Sequence, residues 1–469
     1  MASATEAQTT RWTRKQSSIL FIAALTAFMG TFLISAINVA LPAIEKSFSL
    51  NAVMLSWIVT SFLLSTAMFL LPVGRWGDLT GVRRLFKAGV LIFLFSTLLC
   101  GLAGSGWWLI VFRFIQGIGA AFTSTTGQAI LVSTFPPQQR GRVLGISVTG
   151  VYLGLATGPF IGGFLTQYLG WRSIFYVSTV MGVITALIAY RYLGKDEHTE
   201  TRTVKPDIRG TLFYMLGLVS MVYGSSLIPA ASGWLLLTGG AAALAIFWIL
   251  ESKSRMPVID TKLFTHNRLF AFSNLAALIN YSATFAIVFL LSLFLQKVRG
   301  LSPRDAGMIL IAQPVMMALF SPITGRLSDR IDPRIFTTLG MSICTLGLFA
   351  FAWLTPSTPL WLIIALLLGV GTGFALFSSP NMNTIMSSVQ RNQYGLASGT
   401  AASMRVVGQI ISMTVVTLFL AGIIGKQTLD AIPDHLFLKA MKWAFLTFAA
   451  ISTTGIWFSY NRGSIKREV

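Results

Sequence analysis

The chain is divided into apolar runs of about twenty residues, each long enough to cross the hydrocarbon core of a bilayer as a helix. About fourteen such runs can be counted, from 18–43 near the start to 438–462 near the end, with polar or basic connections between them. A bilayer offers no water to unpaired backbone groups, so runs of this kind are stable only as helices bundled together. The expected fold is therefore an all-α polytopic membrane protein. Hydrophobic residues make up 54% of the chain and charged residues 11%, against roughly 25% charged in soluble domains. No soluble core would hide so many apolar segments. The first run follows a polar, basic start that ends at Lys15. At 18–44 it is too long for the apolar core of a secretory leader, and it is expected to remain as the first span.

The formal net charge is +20, and its distribution explains it. About 25 of the 35 Lys and Arg residues fall in alternate connections, as the positive-inside rule requires of cytoplasmic loops. Both termini are then cytoplasmic, the setting is the cell membrane, and the positive charge calls for no nucleic acid. Cys100 and Cys344 fall in separate spans, and the three histidines fall in connections. Neither type has metal-ligand spacing. There is no GxxxxGK[ST] loop for ATP, and no nucleophile–base–acid set lies within the spans. No enzyme activity and no cofactor are expected.

The chain also repeats itself weakly. Gly74-Arg75-Trp76-Gly77-Asp78, followed by Arg83, recurs as Gly325-Arg326-Leu327-Ser328-Asp329, followed by Arg334. Each copy sits where a span meets a short basic loop. Two six-helix halves follow, 18–193 and 268–462, with two inserted helices at 210–250 between them. Linkers at 194–209 and 251–267 join these parts, and tails at 1–17 and 463–469 flank them. Parallel halves of this kind leave a substrate path along their interface.

Residues 145–163 read GISVTGVYLGLATGPFIGG. Gly154, Gly158 and Gly162 stack along one helical face, and Pro159 removes a backbone hydrogen bond inside the same run. Plain small-residue helix packing would use such a face as well. The full spacing, with GP and then GG, resembles the antiporter motif on the fifth helix of exporters in the major facilitator superfamily. The 74–84 loop and the run LIVFRFIQGIGAA at 109–121 look like motifs of the same superfamily. ISAINVALPAI at 34–44, LFLQKVRGLSPRDAG at 293–307 and the Pro257…Asp260…Leu263-Phe264 stretch are similar to its fourteen-helix drug:proton antiporter family.

That resemblance implies a major facilitator fold working by alternating access, with Gly145, Gly154, Gly158, Pro159, Gly162 and Gly163 forming the antiporter motif. It implies that Asp78 and Asp329 act with Arg83, Arg330 and Arg334 as latches at the cytoplasmic ends. One departure is visible: Arg330 follows Asp329, but Leu79 follows Asp78. It also gives Arg113 a part in proton coupling or substrate binding. The alternative for Arg113 is a structural tie to backbone carbonyls or polar side chains. A charge at that depth faces a cavity or a partner.

Other polar residues within spans are candidates for a cavity. Gln116 shares a face with Arg113, and Ser398, Arg405, Gln409 and Ser412 form a stripe at helical spacing. Asn280, Tyr281, Thr284 and Gln313 fall in mid-span in the second half, with Asn38 and Tyr152 from the first. Each can equally bridge helices. Asn381 and Asn383, beside Pro380, read as a broken helix end or a gate. None of the fifteen Asp and Glu residues falls deep inside a span. Leu33 stands where the family's first-helix signature commonly has Asp, which leaves Asp78 and Glu45 as the acids available for protons. With embedded arginines and no embedded acid, the cavity is expected to be neutral to positive. The reading is a secondary active exporter of the multidrug type, moving small lipophilic neutral or anionic compounds as a monomer on the proton gradient. A lipid or anionic-metabolite exporter without proton antiport, and a non-transporting receptor or scaffold, are the alternatives.

Overall fold

Hydroxyl and amide side chains cap the N-termini of five of the helices. Thr13 and Gln16 cap the first reciprocally, with hydrogen bonds of 3.2 and 3.0 Å. Asn51, Ser105, Asn267 and Ser302 each accept a backbone N–H of the following turn. The structure is a computed structural model that describes residues 12–136, 139–194, 196, 208–254, 261–328, 330–390, 393–425, 427–428 and 431–463, apart from the side chains of Arg75, Asp78, Leu79, Gly141 and Gly395. Among the described residues there is no strand, only an isolated antiparallel bridge between Asn51 and Thr428.

Thirteen of these helices are long and apolar enough to cross a membrane. Six come first: Arg14–Phe48, Ala52–Thr80, Val82–Gly101, Gly106–Thr134, Arg140–Leu169 and Arg172–Tyr192. They are followed by Ile208–Ser226 and Ala231–Lys253, and then by Arg268–Val298, Pro303–Ser328, Pro333–Phe351, Leu360–Ser387, Leu396–Ile424 and Asp434–Asn461. Ile208–Ser226 adds one more helix to these thirteen. It has 19 residues, and Arg209 with several Gly and Ser lowers its hydropathy. It pairs with Ala231–Lys253 through facing small residues: a side chain at Gly224 would press on the Gly233 carbonyl at 2.9 Å, and one at Gly240 on the Gly217 carbonyl at 3.0 Å. Two hydrogen bonds dock this hairpin on the second helix, Trp57 Nε1 to Ser226 Oγ at 2.8 Å and Tyr214 OH to the Ala67 carbonyl at 3.1 Å. We number the helices one to fourteen in this order.

Three local features differ from the sequence reading. The ninth span is broken at Phe285 into Arg268–Thr284 and Ala286–Leu293, and it ends in a π turn at Phe294–Val298. At the break the Ala286 N–H donates to Ser412 Oγ of the thirteenth helix at 3.1 Å, so a foreign side chain has entered the ladder. The tenth is divided at Ile311, just before Pro314, whose missing N–H leaves the Leu310 carbonyl without its helical donor. The twelfth helix shows the converse. It runs unbroken through Pro380 to Ser387, so Asn381 does not mark a broken end.

At the start of the third helix Gly81 has φ +98°, and a Cβ there would meet the Asp196 carboxyl carbon at 2.6 Å. That carboxylate accepts the Arg83 and Arg84 backbone N–H groups at 2.9 and 3.1 Å. A residue beyond the sixth helix thus caps the third, and only glycine admits it.

Candidate functional site

The seam between the first and fifth helices is built on backbone contact. A Cβ at Gly150 would lie 2.5 Å from the Ala24 carbonyl oxygen, and one at Gly154 2.9 Å from the Phe32 nitrogen. At Gly158 it would lie 2.5 Å from Ser35 Cβ, and at Gly162 2.7 Å from Ala36 Cα. Gly150 was not among the residues singled out from sequence, although it continues the four-residue spacing. Gly145 leaves the set, since a side chain there meets nothing within 4 Å. Gly163 faces the other half, where its Cβ would lie 2.5 Å from the Pro303 carbonyl oxygen. Gly307 of the tenth helix abuts the Pro159 carbonyl in return.

Two prolines give this seam its hydrogen bonds. Pro159 cannot donate to the Leu155 carbonyl, and Ser35 Oγ donates to it instead at 3.2 Å. Pro42 likewise frees the Asn38 carbonyl, which Ser292 Oγ of the ninth helix reaches at 2.7 Å. Gln296 Nε2 adds a bond to the Val39 carbonyl at 2.9 Å and one to Ser292 Oγ at 3.0 Å. These bonds join the two halves at the face where the first helix ends, here the far face. Ser56 and Thr417 hydroxyls meet there at 2.8 Å. The far face is closed.

A cavity of about 200 Å³ opens between the halves on the other side of this closure. Of the residues assigned to a cavity from sequence, Tyr152, Tyr281, Arg405 and Gln409 line it. Its wall also carries Phe62, Phe93 and several hydroxyls, and no Asp or Glu among the described residues. Tyr152 OH and Ser378 Oγ lie 3.1 Å apart across the halves, and Ser398 Oγ donates to Gln128 Oε1 at 3.0 Å nearer the terminal face.

The other seven assigned residues do not line this cavity; Asn38, Gln116, Asn280, Thr284, Gln313 and Ser412 are buried in helix contacts, and Ser398 bonds to Gln128. Helical periodicity marks a polar face without saying which neighbour covers it. Asn38 uses its backbone carbonyl at the far closure, and Asn280 its backbone carbonyl toward Thr284 Oγ1 at 2.8 Å. Gln313 faces the twelfth helix, where its carbonyl abuts Gly371. Gln116 bridges Arg113 and Thr97, with bonds of 2.5 Å on either side.

Arg113 itself is fully buried and stands apart from the cavity. Its Nε donates to the Ile58 carbonyl at 3.1 Å, and its guanidinium lies 4.3 Å from the Phe62 ring centroid. The residue thus ties the second, third and fourth helices together. Replacing it with Met is expected to lower thermal stability by about 3 kcal/mol, because the Gln116 amide and the Ile58 carbonyl lose their partner. A melting curve of the purified variant checks this; an unchanged melting temperature with lost transport would return Arg113 to a coupling role.

At the terminal face, Asp329 and the Asp78 side chain lie outside the described residues, and with them the proposed latch carboxylates. Arg330 is exposed in the turn after the tenth helix. Arg334 pairs with Asp332 at 3.9 Å and covers the Tyr460 ring, while Arg83 contributes its backbone N–H to Asp196. Asn381 is buried, donating to the Ser273 carbonyl and accepting from Arg462 Nη1, both at 3.0 Å. Arg462 escaped the sequence reading because it looks like part of a tail. It is 2% exposed, and burial lowers its pKa to about 10, with Asp332 acting against the shift. Glu45 is buried near the far end of the first helix and does not line the cavity.

A chamber between two helical halves, closed on one face and flanked by a small-residue seam, has the layout of a membrane transporter. The family model of the Major Facilitator Superfamily matches residues 20–413 and 275–463, and the chain belongs to that superfamily. It is 32% identical over 396 residues to "Riboflavin transporter RibZ" of Clostridioides difficile (strain 630), covering 82% of this chain and 84% of that protein. It is 31% identical over 433 residues to "Multidrug resistance protein Stp" of Mycobacterium tuberculosis (strain ATCC 25618 / H37Rv), covering 90% and 80%. The fold is similar to the crystal structure of a bacterial homologue of the human lysosomal transporter Spinster, inward-facing and unoccupied. The TM-score is 0.69 at 18% identity, covering 96% of this chain and 98% of that one. The protein is a multi-pass membrane transporter with a major facilitator fold, and not an enzyme.

Proposed function

We propose that the protein exports small lipophilic compounds, neutral or anionic, by alternating access across the cell membrane, with both termini in the cytoplasm and the proton gradient as energy source. The observation that carries this reading is the cavity wall, where Arg405 is the one charged residue among those described and apolar groups dominate. A lipophilic body suits such a wall, and a cation does not. Export as the direction is supported by the seam at Gly150–Gly162 and by relatives named for resistance, such as Stp and the "Tetracenomycin C resistance and export protein" of Streptomyces glaucescens. Proton coupling would fall to Asp78 and Glu45, acids near span ends in the first half.

A second reading, an exporter of lipid or an anionic metabolite without proton antiport, draws on the lack of any acid in the described cavity wall. Reconstitution into liposomes with an imposed pH gradient tests both, using neutral, anionic and cationic lipophiles of matched size. The first reading expects neutral and anionic compounds to accumulate and an uncoupler to stop them. Transport that persists without the gradient would favour the second. Strong accumulation of the cation would contradict both.

A further inference from the structure

We propose that Arg405 anchors one anionic group of the transported molecule, and that the preferred substrate is a flat aromatic monoanion. The inference rests on the transporter reading above and commits it to one class. Arg405 lies about 14 Å along the thirteenth helix from Leu396, at 1.5 Å per residue, and it points into the cavity. Gly408 sets its position. A Cβ there would lie 2.6 Å from the Leu278 carbonyl oxygen and 2.9 Å from Tyr281 Cβ, so the thirteenth helix presses directly on the ninth. Arg405 thereby shares the cavity wall with Tyr281, and Gln409 follows one turn later on the same wall.

Arg113, Arg462 and Arg405 differ in what they hold. Arg113 is bonded to the Ile58 carbonyl and Gln116, and Arg462 to Asn381. Neither lines the cavity. Arg405 makes no hydrogen bond and no ion pair with any described residue, so its donors are free within the chamber. A guanidinium presents a planar fork that matches a carboxylate or a delocalised oxyanion. At this depth an uncompensated charge is unfavourable. A bound anion removes that cost, whereas a cation adds to it.

The walls describe the rest of the ligand. Tyr281 packs edge-on against Phe374, with centroids 5.3 Å apart, on the side of Arg405. Phe62, held by the Arg113 guanidinium, and Phe93 stand on the side of the first half. Thr26, Thr31 and Thr66 supply hydroxyls along that side. Aromatic walls on both sides and a free guanidinium on one of them fit a ring system bearing a single acidic group.

Anthracene-9-carboxylate and anthracene-9-carboxamide, equal in shape and different in charge, are the probes. Equilibrium dialysis against the full-length purified protein is expected to give at least roughly tenfold tighter binding of the carboxylate. In Arg405→Gln the carboxylate should weaken about 10- to 100-fold while the carboxamide stays within about twofold. Arg405→Lys, which keeps the charge and loses the fork, should retain part of the preference. Equal affinities in the wild type, or a preference that survives in Arg405→Gln, would overturn the proposal. Running the same probes in proteoliposomes separates the two levels. Discrimination in binding with no movement of either probe supports the anion site and contradicts the transporter's use of it. Movement of both probes without discrimination overturns the anion site and leaves the transporter reading standing.

Discussion

Gly158→Leu is expected to abolish transport and to lower the melting temperature of the purified protein, while Gly145→Leu changes neither. At Gly158 even a Cβ would lie 2.5 Å from Ser35 Cβ and 3.1 Å from the Ala36 nitrogen. The obstacle includes backbone, which cannot rotate away as a flexible side chain does. Overpacking in a core costs about 1–3 kcal/mol, and a branched side chain against a helix backbone belongs at the upper end. It would also part Ser35 Oγ from the Leu155 carbonyl, leaving that freed acceptor buried without a donor. Gly145 belongs to the same sequence motif but lies against open space. The pair of variants therefore separates the motif as a string of letters from the seam as a contact surface. Transport in proteoliposomes and a thermal melt of each variant are the measurements. An active, stable Gly158→Leu protein would remove the seam from the account.

The second large effect is expected at the far closure. Ser292→Ala combined with Gln296→Ala removes the donors to the Asn38 and Val39 carbonyls. The Asn38 carbonyl has no helical replacement, because the residue four positions on is Pro42. Water can satisfy it only if the far face opens. Net hydrogen bonds are worth about 1 kcal/mol each, so the equilibrium should shift toward the far-open state by about 2 kcal/mol, or roughly thirtyfold. Trapping by a bifunctional thiol reagent between cysteines placed at Val39 and Leu295 should become correspondingly slower than in the background carrying those cysteines alone. An unchanged trapping rate would mean that the closure rests on packing, with the bonds incidental.

Much of this arrangement was legible in the residues. Run length and hydropathy give the helices, and spacing gives three of the four glycines that meet the first helix. The missed one, Gly150, obeys the same rule. What was not legible depends on partners distant in the chain. The break at Phe285 is made by Ser412, and the third helix is capped by Asp196. The polar stripe of the thirteenth helix divides: Arg405 and Gln409 face the cavity, Ser398 bonds to Gln128 and Ser412 enters the ninth helix. Asn38 and Gln116 show the same limit. Each looked like cavity polarity, and each is held within the bundle.

The central claim is that the halves expose one chamber to the two faces in turn. Ser124 lines the chamber and is exposed within it, while Cys100 and Cys344 are fully buried. A cysteine placed at Ser124 therefore reports access to a membrane-impermeant thiol reagent. In oriented proteoliposomes it should react from the face bearing the termini when no substrate is present, with little reaction from the far face. Under turnover with a transported compound, reaction from the far face should appear. Reaction from both faces without substrate, or none from the far face during turnover, would contradict alternating access.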